Sequence, residues 1–187
     1  MTDIDRCTTG SGGTPQPVDG PEGAARLVFG PSDAVVTITE FGDLECPYCR
    51  QASEPLRRLV TESEGTDRSV RLVWRHFPLF QVHPHALIAA LAAEAAAEQG
   101  QFWPMQQALF AQQSRLTEPD LRAVARTLGI DPESVAGPAA QRFADRVEAD
   151  YVAGLEMGVA GTPTLFIDGE PYTGALDLRS LRRAIQP

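Results

Sequence analysis

Hydrophobic positions in this chain alternate between two regimes, short extended runs near its ends and helical spacings between them. Residues 35–41 are dense in Val, Ile and Thr, and residues 70–77 carry Val70, Leu72, Val73, Trp74 and Phe77, so both are expected to be strands. A short edge strand is expected over residues 26–29. After the first strong strand a helix is expected to open at Cys46 and run to about Glu64. Leu56, Leu59 and Val60 lie on one of its faces, and Pro55 inside it predicts a kink.

A helical block follows the second strand. Residues 85–99 are rich in alanine, and residues 101–113 place Phe102, Met105 and Leu109 on one face. Thr117, with Asp120 three positions on, opens a helix whose Leu121, Val124, Ala125 and Leu128 recur at helical spacing before Gly129. Residues 131–135 read as a short helical turn. Phe143, Val147, Tyr151 and Leu155, each four apart, read as a long helix. The chain closes with a strand at 164–167, a hairpin turn at Asp168-Gly169, a returning strand at 170–173 and a last helix. Asp177 caps that helix, with Leu178, Leu181 and Ile185 inward.

Composition trims this picture at one end. Residues 8–23 hold five glycines and three prolines with almost no apolar content. Residues 1–23 are therefore expected to be a flexible tail and residues 24–187 the folded domain. The formal net charge of −9 argues against nucleic acid or an anionic membrane surface as a partner. All 16 basic residues are Arg, which removes lysine chemistry such as Schiff-base formation. The longest apolar tract, residues 86–97, is too short to span a bilayer. Residues 1–6 carry Asp3 and Asp5 and lead into no apolar run, so a cytoplasmic protein is expected.

The chemistry concentrates at Cys46-Pro47-Tyr48-Cys49, which follows a strand and opens a helix. The first helical turn offers unpaired N–H groups and the positive end of the helix dipole, so a thiolate at Cys46 is stabilised there. Cys49 lies one turn deeper on the same face, within reach of a disulfide. Cys46 is thus expected to be an exposed nucleophile and Cys49 the resolving thiol. Pro47 suits the first turn because it lacks an N–H. A zinc site would need about four ligands. His83 and His85 are the only histidines placed to complete one, and they read better as partly exposed residues at a helix entrance, so no metal and no cofactor are expected. Glu40 shares strand parity with Val36 and Ile38 and is expected to point into the apolar side, where a buried carboxyl with a raised pKa could exchange protons with the deeper thiol. His76 is expected to have a packing or hydrogen-bonding role. Asp43 and Glu45 read as surface charges of the loop, and Cys7 as an incidental thiol of the tail.

The stretch Thr39-Glu40-Phe41-Gly42-Asp43-Leu44-Glu45-Cys46-Pro47-Tyr48-Cys49, with Gly161-Thr162-Pro163-Thr164 downstream, resembles the DsbA-like branch of the thioredoxin superfamily. Arg75-His76-Phe77-Pro78-Leu79, His83-Pro84 and Phe102-Trp103 fit the same pattern. The resemblance implies an α/β thioredoxin fold with a central mixed sheet and an inserted helical subdomain at about residues 84–157. It implies that Thr162-Pro163 is a cis bond lying against the disulfide, and that the Thr162 backbone pairs with an extended substrate segment. It also places Glu40, six residues before Cys46, where the family often keeps a buried acid. Substrate proteins bearing thiols or disulfides, and a redox recycling partner, are implied with it. Pro47-Tyr48 is the dipeptide familiar from glutaredoxins, which leaves the direction of electron flow open. Two other readings stay beside this one. One is a glutathione-dependent transferase or isomerase of the same fold, against which Cys49 counts. The other is a redox- or zinc-sensing binding module.

Overall fold

The computed structural model describes residues 27–186. The expected tail, Cys7 and the first residue of the expected edge strand, Arg26, lie outside the described residues. Strands β1 (Val28–Phe29), β2 (Val36–Gly42), β3 (Val70–His76), β4 (Thr164–Ile167) and β5 (Glu170–Tyr172) form one sheet in the order β1-β3-β2-β4-β5. β2 and β3 run parallel, Val36 opposite Val70 and Gly42 opposite His76, while every other neighbouring pair is antiparallel. A parallel pair needs a crossover, which α1 (Pro47–Ser63) supplies. β4 and β5 need only the Asp168-Gly169 turn, whose φ values of 50° and 87° match a two-residue hairpin loop.

α1 and α7 (Leu178–Ala184) cover one face of the sheet. Val36, Ile38, Val70, Leu72 and Leu165 meet Leu56, Leu59, Val60, Leu181 and Ile185 there. Side chains alternate across a strand, so Glu40 of β2 falls on this same face. Phe41 falls on the other, packed with Phe77, Val159 and Phe166. Pro55 does not break α1, which runs through it to Ser63.

The helical insertion comprises α2 (Ala86–Glu98), α3 (Phe102–Ala111), α4 (Glu118–Thr127), α5 (Pro138–Gln141) and α6 (Ala144–Glu156), all between β3 and β4. α2 is buried on almost every side, and its alanines let the other helices approach closely around it. Thr117 and Asp120 form the expected capping box at the start of α4. The insertion is fastened to the sheet by Asp150 of α6, which accepts hydrogen bonds from the Arg75 guanidinium at 2.8 Å and the His76 N–H at 3.0 Å. Beside it, a Cβ on Gly154 would stand 2.7 Å from the Phe77 ring, so glycine lets α6 lie against β3.

One helical expectation is corrected. Residues 131–135 form turns, and the short helix comes later, where Gly137 (φ 64°) redirects the chain and Pro138 occupies the first helical position. In α6, Leu155 is 53% exposed. Steps of four residues overshoot the helical period of about 3.6, so a stripe drifts by roughly 40° per step. Val147, Asp150 and Gly154 face inward.

Candidate active site

The loop between β2 and α1 sets the site. Cys46 is the N-cap of α1 in extended conformation (φ −73°, ψ 121°), and Pro47 begins the helix. Cys46 and Cys49 are both free thiols and both buried, at 2% and 0% exposure. The expectation of an exposed nucleophile is therefore corrected: the Cys46 thiol turns under the loop preceding β4 and donates to the Thr162 carbonyl at 3.3 Å. The exposed residues are Pro47 and Tyr48, at the rim. The Thr162–Pro163 peptide bond is cis.

The two sulfurs are electrostatically unlike. Cys46 is lowered from 9.0 to about 5, first by a hydrogen bond from the Cys49 thiol and then by the Thr162 side chain and the Cys49 and Tyr48 backbone, against the opposing effect of burial. Cys49 is pushed well above 9.0, chiefly by burial, then by its bond to Cys46 and by the charges of Glu40 and Cys46. The Asp43 N–H still reaches the Cys49 sulfur at 3.4 Å.

Glu40 stands where strand parity placed it, 1% exposed, with Oε1 lacking a hydrogen-bond partner. Burial first, and the Cys46 charge second, raise its pKa from 4.5 to about 8. A carboxyl protonated at neutral pH thus sits beside a thiol that resists ionisation. His76 takes the expected hydrogen-bonding role. Its Nδ1 accepts from the Trp74 indole at 3.2 Å, which leaves Nε2 carrying the proton 3.5 Å from Glu94.

Sequence reading missed what holds the loop. Asp43, read as a surface charge, is 2% exposed. Its carboxylate accepts from the Glu45 N–H at 2.7 Å, the Leu79 N–H at 2.9 Å and His83 Nδ1 at 2.7 Å. Glu45 in turn accepts from the His85 N–H at 2.6 Å and faces His85 Nδ1 at 3.2 Å. Two carboxylates spaced two apart thus meet two histidines spaced two apart, and buried loop amides find acceptors that way. The matched spacing was the available signal. Among the described residues, no three His, Cys, Asp or Glu side chains converge as a metal site requires.

A reactive C-x-x-C at a helix N-terminus, opposite a cis-proline loop on a mixed sheet with a helical insertion, defines a DsbA-like thiol–disulfide oxidoreductase domain. A family model described as thioredoxin matches residues 23–187, and the chain belongs to that family. The structure is similar to that of BdbD from Bacillus subtilis in its oxidised form, with a TM-score of 0.74 and 25% identity, covering 85% of this chain and 90% of that one. It is also similar to a thioredoxin-like oxidoreductase from Silicibacter pomeroyi DSS-3, with a TM-score of 0.71 and 28% identity, covering 84% and 88%. In sequence it is 43% identical over 159 residues to Na(+)/H(+) antiporter NhaA 3 of Salinispora tropica, covering 84% of this chain and 24% of that protein. The chain spans about a quarter of the length of the curated relatives it matches. The expected cytoplasmic location is corrected, because structural relatives such as BdbD are periplasmic or secreted oxidoreductases. Disulfides persist in such oxidising surroundings, and the acidic first residues were a poor guide.

Proposed function

We propose that this domain donates disulfides to protein thiols through the Cys46–Cys49 pair. The observation that carries the reading is the Cys46 sulfur at the N-terminus of α1, where the Cys49 thiol and the Tyr48 and Cys49 backbone stabilise its charge. A substrate thiolate attacks Cys46 of the disulfide, and Cys49 leaves. Cys49 cannot remain charged in its buried position, and the proton returned to it is proposed to come from Glu40, whose raised pKa supports the reading. A second substrate thiolate then attacks the substrate sulfur of the mixed disulfide and expels Cys46. A thiol of low pKa leaves readily, so the second step favours donation. The substrate ends oxidised and the enzyme holds both electrons as a dithiol, to be reoxidised by a recycling partner.

The substrate segment is proposed to pair with the Thr162 backbone beside Pro163, between the exposed Pro47-Tyr48 rim and the insertion at about residues 84–157. The transport named for the antiporter relatives is not carried over. The shared segment is a quarter of those proteins, and among the described residues no helix is long and apolar enough to cross a membrane. The test is a pair of variants in protein lacking Cys7. Cys46→Ser is expected to abolish oxidation of a reduced model protein, and Cys49→Ser, presented with a disulfide-bearing model protein, to accumulate a mixed disulfide on Cys46. Full activity in Cys46→Ser would sink the reading.

A further inference from the structure

Gln113 lies in the turn after α3, inside the helical insertion and 64 or more positions from the redox pair in sequence. Its side-chain Nε2 donates to the Leu44 carbonyl and to the Cys46 carbonyl, each at 2.9 Å. These two carbonyls bracket the backbone that carries the nucleophile. The amide orientation follows from the contacts, since the reversed placement would set its oxygen against two carbonyl oxygens. Both hydrogens of the amide are therefore spent on this one loop.

The turn that presents Gln113 is itself fixed. The Arg115 N–H donates to the Gln112 carbonyl at 2.8 Å, the Gln112 side chain returns a bond to the Arg115 carbonyl at 3.2 Å, and Leu116 is buried beneath. The Cys46 carbonyl also accepts the Arg50 N–H at 3.2 Å, the first hydrogen bond of the helix. Pro47 supplies no N–H, so the peptide plane between Cys46 and Pro47 lacks a donor of its own that could hold it. Gln113, from the insertion, adds a second donor beside the Arg50 N–H on that plane.

We propose that Gln113 is a positioning residue of the redox site, fixing the Leu44 and Cys46 peptide planes so that the Cys46 sulfur stays aligned with Cys49, Thr162 and the helix N-terminus. The inference rests on the redox reading of the pair. Losing the two donors lets the loop turn the sulfur away from the groups that stabilise its charge. A residue that merely filled space would alter unfolding and leave the ionisation of Cys46 where it was.

The experiment follows thiolate absorbance and alkylation rate against pH in reduced protein lacking Cys7, comparing the parent with Gln113→Met, which keeps the length and loses both donors. Gln113→Glu, which can only accept, is the second variant and covers a failure of the first to fold. The expected result is an upward shift of the Cys46 titration by half a unit or more, hence roughly a threefold or greater fall in alkylation at a pH below the transition. The shift should be larger for Gln113→Glu. Titrations that overlay the parent in folded variants would overturn the proposal. A parent protein that shows no low-pH thiolate and forms no Cys46–Cys49 disulfide would overturn the redox reading instead.

Discussion

Cys46 and Glu40 hold protons in opposite ways, and stability records both. Cys46, at about 5, has lost its proton where the unfolded thiol keeps it, so it makes the reduced protein more stable as pH rises from about 5 to 9. Glu40, at about 8, keeps its proton where the unfolded carboxyl has lost it, so it makes the protein less stable as pH rises from about 4.5 to 8. In the shared window the two slopes cancel. Glu40→Gln removes one of them, and the reduced variant is expected to gain up to about 1.4 kcal/mol per pH unit in urea unfolding between pH 5.5 and 7.5. The parent should be nearly flat over that range, and a flat variant would refute the assignment. The same variant is expected to slow resolution of mixed disulfides by about tenfold or more, read by single-turnover kinetics. Glu40 was legible because strand parity with Val36 and Ile38 fixes its side of the sheet. The burial of Cys46 was not, because the residue that covers it, Thr162, lies 116 positions away.

Elements keep the reacting loop in place through contacts that single residues hardly reveal. Asp43 joins the loop to the segment after β3 by accepting two backbone N–H groups and His83. Asp43→Ala strands those donors and is expected to lower stability by about 2–4 kcal/mol in denaturant unfolding, where a surface charge would cost less than about 0.5 kcal/mol. Gly154→Ala, on the inward face of α6, is expected to cost about 1–3 kcal/mol by forcing Phe77 and Phe41 aside. An unchanged midpoint would show that α6 does not press on the sheet as described. Strands, the capping box and the Asp168-Gly169 hairpin were readable from the chain, since each is decided by residues within a few positions. The side of α6 that faces inward was not. It depends on how Gly154 meets Phe77, a contact across the fold, which the four-residue spacing that marks the helix does not reveal.

At the scale of the whole molecule, the sheet, the insertion and the cis-proline loop converge on one couple, Cys46–Cys49, and the central claim is that this couple donates disulfides. A nucleophile near pH 5 lies between the thiol of thioredoxin, about 7, and that of DsbA, about 3.5. Its potential should accordingly lie well above that of thioredoxin. The direct measurement is equilibration of the protein lacking Cys7 with defined glutathione buffers, reading the fraction of the couple oxidised. A midpoint above about −230 mV is expected, towards the oxidising end of the scale. A midpoint at or below that value, or no intramolecular disulfide at all, would contradict the account.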